Sequence, residues 1–282
     1  MTVFDLVAGI AIRHSHAVMI PPELVIPFFL APFVGSFLSV LVRRIPRGEP
    51  FGMQRSRCEE CGTFLRPHEM IPLLSYLAQR GACRRCGGRI DPQHLKIELA
   101  AILVPATALL GRMGVAHFQG LPLEDSGISL PLLMSDCVLG WTLLALSWID
   151  LTCLRLPDVL TLPLLLAGLA EGWLTGGMDT LLDRALGSGI GWALFALVAY
   201  GYRAFRKRTG LGGGDVKLLA AGGAWLGISA LPSVIVLGSA FGILAALASI
   251  LRAGRFSMTI VVPFGPCLAA AIWTARLMPG TY

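Results

Sequence analysis

GLGGGDVKLLA, residues Gly210 to Ala220, places an aspartate and a lysine directly after three glycines and at the mouth of an apolar run. In a water-soluble domain Asp215 reads as a helix cap, because a short acidic side chain accepts the free amide hydrogens of a first helical turn. At the edge of a membrane span the same acid is costly and marks function. Composition decides between the two. Of the 282 residues 55% are hydrophobic and 14% charged, with a mean hydropathy of +0.72, whereas a soluble domain carries about 25% charged residues. The expected fold is therefore an all-α polytopic membrane protein, since an open strand cannot satisfy its backbone in lipid.

About eight apolar stretches approach the ~20 residues that cross a hydrocarbon core. They cover 23–42, 97–110, 131–149, 159–174, 185–202, 216–230, 232–251 and 259–278. Those beginning at Ile97 and Val216 are short, which predicts thin, tilted or partly unwound spans. The opening MTVFDLVAG lacks a basic region and carries Asp5, unlike an ordinary signal peptide. A net charge of +6 would suggest nucleic acid in a soluble chain, but its distribution points to the bilayer. Eleven of the 23 Lys and Arg lie between Arg43 and Lys96, a second group is RAFRKR (Arg203 to Arg208), and Arg252 and Arg255 share a third loop. Basic loops stay in the cytosol. Alternating spans then place all three loops inside, together with WIDLTCLRLPD and GLGGGD, and both termini outside.

The longest polar segment holds two Cys-x-x-Cys pairs, Cys58 with Cys61 and Cys83 with Cys86, twenty-one residues apart. Paired knuckles at this separation read as a four-thiolate structural Zn²⁺ site, which leaves no position open for water. Disulfides do not persist in a cytosolic loop. Arg57, Arg84, Arg85 and Arg89 offset the thiolate charge. Cys137, Cys153 and Cys267 lack ligand spacing and read as packing residues. The organisation is thus an N-terminal segment and first span (1–42), a cytosolic zinc-ribbon-like insert between the first two spans (43–96) and a helical bundle (97–282).

Among the acids in or beside the spans, which include Glu23, Glu98, Asp136 and Glu171, Asp150 ends one apolar stretch and Asp215 opens another at the same expected edge. Two carboxylates brought together cannot both ionise cheaply, so one serves as base and the other as acid. That pair can activate a water against a peptide carbonyl and protonate the departing nitrogen. Gly212, Gly213 and Gly214 allow the backbone to come close to a substrate strand. Capping stays open for Asp215 and is the better reading of Asp158, which follows Pro157. Asp150 opposes the helix dipole and is harder to explain structurally. Lys217 either snorkels to the interface or holds the loop near the acids.

GSFLSVLVRRIP (Gly35 to Pro46), the two cysteine knuckles with IPLLSYLAQRGACRRCG, IELAA at Glu98, IDLTCLRLPDVLTLP, GLGGGDVKLLAAGGAWLG and PFGP (Pro263 to Pro266) occur in one order. From about Gly35 onward the chain resembles the bacterial type IV prepilin peptidases, which are GxGD-type aspartic membrane proteases. The resemblance implies that Asp150 and Asp215 are catalytic. It implies cleavage of the basic leader of type IV prepilins and type II secretion pseudopilins, after a glycine and at the cytosolic face of the bacterial inner membrane. It further implies methylation of the new N-terminal residue with S-adenosylmethionine, in which Arg44, Glu69 and Glu98 are the candidate residues. Ser39 stands where many members have asparagine. No glycine-rich loop follows a strand, which excludes a Rossmann-type methyltransferase. Pairing of Glu69 and Glu98 with nearby arginines is the structural alternative.

Two other classes compete. A different intramembrane aspartic protease shares the two-acid logic but leaves the cysteine insert unexplained. An ion-coupled transporter also uses intramembrane acids and glycine-broken helices, but places them near the midplane and within repeats, neither of which is evident here.

Overall fold

In a computed structural model, residues 21–50, 56–121, 127–207, 212–253 and 263–278 are described. Among them the fold is helical: α1 (Ile26–Arg44), α2 (Leu74–Ala78), α3 (Gln93–Phe118), α4 (Leu130–Cys153), α5 (Asp158–Arg206), α6 (Gly213–Leu226), α7 (Leu231–Ala253) and α8 (Gly265–Leu277). Short 3₁₀ turns at Pro22–Val25, Ile45–Arg47 and Pro67–Met70 join them. The only β pairings among the described residues are two isolated bridges in the cysteine segment, Arg57 with Phe64 and Ala82 with Arg89. The first twenty residues, which include MTVFDLVAG, the Arg208 to Leu211 approach to the glycines, Arg255 and the start of the last expected stretch at Thr259 lie outside the described residues.

Five helices, α1, α3, α4, α5 and α7, are long and apolar enough to cross a membrane. Their outward faces carry large apolar side chains, among them Phe29, Leu110, Leu174, Leu197 and Val236. Such a surface suits lipid rather than water. The stretch expected to be short at Ile97 is corrected: α3 runs 26 residues, because the polar turn Gln93–Lys96 and the segment beyond Leu110 continue the helix. The short reading holds at Val216, where α6 has 14 residues. α5 joins two expected stretches and is broken at Gly177, whose φ of 67° no L residue adopts readily.

α4 lies between two apolar cores. Leu139, Leu143 and Leu146 pack with α5, α6, α7 and α8, while Cys137, Trp141, Ala145 and Ile149 pack with α1 and α3. Pro105 inside α3 lacks an N–H, so the carbonyl of Ala101 loses its intrahelical donor. The Trp141 indole of α4 replaces it, donating to Ala101 O at 2.9 Å. Trp225 of α6 similarly donates to Leu164 O of α5 at 2.8 Å. Cys137 and Cys267 are buried as expected of packing residues, but Cys153 is exposed, because it faces outward on the last turn of α4.

A buried ion cluster ties the bundle together at the N-terminal end of α4. Asp136, which is fully buried, accepts from Arg112 of α3 at 2.9 Å and from Arg276 of α8 at 2.7 Å. Arg276 also donates to Glu171 of α5 at 2.9 Å and lies over the Trp225 ring. Glu171 is paired in turn with Arg184, across the Gly177 break. Removing one member of such a cluster leaves its partners charged without compensation. Asp136→Asn is expected to cost about 3–5 kcal/mol, read as a lower midpoint of thermal unfolding in detergent. Leu174→Ala on the outward face is the comparison that leaves that midpoint nearly unchanged.

Candidate functional sites

Three sites line one end of the helices. In the first, the two cysteine knuckles fold alike. Gly62 N–H donates to Cys58 O and Gly87 N–H to Cys83 O, both at 2.9 Å, with Gly62 and Gly87 in left-handed conformations of φ 68° and 72°. The turns bring the sulfurs of Cys58, Cys61, Cys83 and Cys86 to within 4.8 Å of one another. Cys58 Sγ and Cys86 Sγ are 3.8 Å apart, close to the edge of a tetrahedron with metal–sulfur bonds of about 2.3 Å. The Thr63 hydroxyl, 3.3 Å from Cys61 Sγ, together with the Thr63 backbone, holds the Cys61 thiol down at about 6, while desolvation and the other three sulfurs push Cys86 up to about 12. The donor set therefore fits a tetrahedral thiophilic cation such as Zn²⁺.

The second site is a cavity of about 510 Å³ between the C-terminal end of α4 and the N-terminal end of α6, with Asp150 and Asp215 both in its wall. Asp150 is 6% exposed and Asp215 9%. They lie close enough for their charges to interact. Asp150 is held from a third helix: its Oδ2 accepts the Gly265 N–H at the start of α8, at 3.0 Å. A Cβ on Gly265 would fall 2.6 Å from that oxygen, so a larger residue would push the carboxylate aside. This residue, within PFGP, had no assigned role from sequence. Its signal was a glycine between two prolines at a helix start.

Asp215 is not the N-cap of α6, but its carboxylate does satisfy a free amide at the helix start, accepting the Gly212 N–H. Gly212 is the N-cap of α6 and Asp215 the third helical residue. Asp158 is likewise no cap; it sits in the first turn of α5 after the N-cap Pro157 and pairs with Lys217 Nζ at 2.5 Å. Lys217 thus ties the start of α5, where Asp158 lines the cavity, to α6. Gly212, Gly213 and Gly214 line the cavity. Gly214 meets the chain's own Leu156, whose Cβ lies 2.7 Å from where a Cβ on Gly214 would be.

The third site is a larger cavity, about 750 Å³, enclosed by α1, the cysteine segment and α3. Arg44, Glu69 and Glu98 all line it, far apart in sequence but gathered here. Glu98 is 6% exposed and accepts the Leu73 N–H at 2.8 Å. Glu69 accepts the Arg66 N–H at 2.8 Å, which holds its carboxyl below the usual range. Pairing with arginines is therefore not what positions either acid; both accept backbone N–H groups. Arg44 donates to Pro50 O at 3.2 Å. Sequence reasoning missed Arg43, which pairs with Glu59 inside the first knuckle and with Asp91 at 2.8 Å, and touches His94. Only its place in a basic run was visible.

The Bacterial Peptidase A24 N-terminal domain matches residues 29–111, and the Type IV leader peptidase family matches residues 137–247. A Burkholderia pseudomallei protein named prepilin leader peptidase/N-methyltransferase is 36% identical, covering 92% of this chain and 86% of its own length. Proteins of the same name from Aeromonas hydrophila (34% identical, 89% of each chain) and Pseudomonas aeruginosa (36% identical, 88% of each chain) are similar to it as well. No solved structure matches. With cysteine knuckles in the first matched region, Asp150 and Asp215 in the second, and this similarity over nearly nine-tenths of the sequence, the chain belongs to the type IV leader peptidase family.

Proposed function

We propose that this protein cleaves the basic leader of prepilins and pseudopilins and then N-methylates the new terminus, with two separate cavities for the two reactions. The observation that carries the peptidase assignment is the convergence of two buried acids from different helices on one cavity. Asp150 and Asp215 are the catalytic pair. The ionised member takes a proton from a water that attacks the scissile carbonyl, and the protonated member gives its proton to the leaving nitrogen. Gly265 aims Asp150 through its N–H, and the Lys217–Asp158 pair braces the loops that admit the leader. A transporter reading is disfavoured because both acids sit at helix ends.

Methyl transfer is assigned to the larger cavity, with S-adenosylmethionine as the donor. Glu98, buried and with no cation beside it among the described residues, supplies negative charge for the ammonium of the cleaved substrate. Arg44 suits the carboxylate of the donor, and Glu69 holds the wall by its bond to Arg66. Bound Zn²⁺ would be held by Cys58, Cys61, Cys83 and Cys86 and would supply structural rigidity to that wall. The chain is assigned to the inner membrane. Its basic segments face the cytosol, and α6, α8 and the two halves of α5 bring the number of spans to eight. The units 1–42, 43–96 and 97–282 are the proposed domains.

Three outcomes test this reading. Asp150→Asn and Asp215→Asn should each abolish cleavage of a prepilin peptide by purified protein, and the double variant should be no worse, because groups acting as a unit are not additive. Near-normal cleavage by either single variant would remove that acid from the reaction. Gly265→Ala should lower cleavage about 100-fold or more, the scale of a displaced catalytic group, with methylation of a pre-cut peptide retained. Chelation of the metal, or Cys58→Ser, should release about one Zn²⁺ per chain by elemental analysis and impair methylation before cleavage; equal loss of both would show the metal supports the whole bundle.

A further inference from the structure

We propose that His94 is the proton acceptor in methyl transfer. The inference rests on the placement of that reaction in the larger cavity. His94 opens α3 and Glu98 follows four residues later, so both lie on one helix face, and both line the cavity. The hydrogen bonds around His94 set its tautomer. Ser39, 3% exposed on α1, has one hydroxyl hydrogen and gives it to Ser36 O at 2.6 Å. His94 Nδ1, 2.7 Å from Ser39 Oγ, must then be the N–H donor. That leaves the lone pair on Nε2, the atom needed to accept a proton.

The charges that meet the ring act in both directions, Arg43 against a proton on His94 and Asp91 and Glu59 for it. Arg43 Nη1 donates to Nε2 at 3.3 Å, a long and weak bond that an incoming ammonium can displace. The same guanidinium is committed to Glu59 and to Asp91. One cation and two carboxylates leave this cluster at −1, and a proton on His94 brings it to neutrality. Ser39 and Arg43 from α1, Glu59 from the first knuckle and Asp91 from the turn before α3 are the polar and charged groups gathered at the ring; Glu98 shares the cavity, as do Arg44, Arg47, Arg57, Arg85, Arg89, Glu49 and Glu69. Among them His94 is the neutral base.

The chemistry requires such a base. The new N-terminus arrives as an ammonium, R–NH₃⁺, which has no lone pair to attack a methyl group. Glu98 holds it and His94 Nε2 takes one proton, giving R–NH₂ and an imidazolium. The amine nitrogen then forms a bond to the methyl carbon as the carbon–sulfur bond of the sulfonium donor breaks. The products are R–NH₂⁺–CH₃ and a neutral thioether. The imidazolium returns its proton to water, so charge and atoms balance.

The test uses full-length protein and a pre-cut prepilin peptide. His94→Gln should lower the kcat of methylation about 100-fold at pH 7, within the range for general base catalysis. KM for the peptide and the binding of S-adenosylhomocysteine, measured by calorimetry, should stay close to those of the parent. The loss should shrink toward pH 9, because an α-amino group with a pKa of about 8 then loses its proton unaided. Ser39→Ala, which frees Nδ1 without deleting the base, should give a smaller loss with the same pH trend, and leader cleavage reports folding of both variants. A normal rate in His94→Gln, or a loss independent of pH, overturns the role. If Glu98→Gln still abolishes methylation in that case, only the His94 assignment falls. If Glu98→Gln, Arg44→Gln and His94→Gln all methylate and bind S-adenosylhomocysteine normally, the cavity assignment falls with it.

Discussion

Asp136 is an ionised-type side chain with no exposure, placed between two guanidiniums from different helices. In the interior of a membrane protein that arrangement is costly unless every member is paired, so α3, α4 and α8 can approach only in the one register that pairs them. Glu171 and Arg184 extend the requirement to both halves of α5. The hydrophobic effect cannot specify this register, since lipid is as apolar as the helix faces. Charge and indole hydrogen bonds do so instead.

α4 transmits that constraint. Asp136 and Asp150 are fourteen residues apart on one helix, which is about 21 Å at 1.5 Å per residue. One end of α4 is clamped by arginines, and the other presents an acid to a cavity. Because α4 contributes to both apolar cores, Asp150 is positioned by the whole bundle rather than by a loop. The Gly265 N–H adds a direct restraint from α8, the same helix that carries Arg276 to the clamp. The two ends of α8 therefore serve the two ends of α4.

Much of this was legible in sequence, for physical reasons. Apolar length and the segregation of basic residues reveal helices and their grouping, and cysteine spacing reveals a four-sulfur cluster, because each signal is local. Asp150 and Asp215 could be singled out because acids at apolar edges are rare. What escaped was long-range or angular. The extent of α3 was missed because amphipathic turns beyond an apolar stretch do not register in hydropathy. Asp158 resembled a cap because its partner Lys217 is fifty-nine residues away. Asp136 and Glu171 were noticed as acids without a role, since nothing nearby in sequence indicates Arg112, Arg184 or Arg276 as their partners. Gly265 and Arg43 act through geometry that only the assembled helices create.

The 3₁₀ turn Ile45–Arg47 ends α1 and has a different cavity on each side. Ile45 and Pro46 border the space that holds the two aspartates, while Arg47 and the preceding Arg44 border the space that holds Glu98 and His94. Under the proposed assignments, a chain terminus created in the first cavity lies across this one turn from the second. That closeness favours transfer of the cut product from one cavity to the other before it is released.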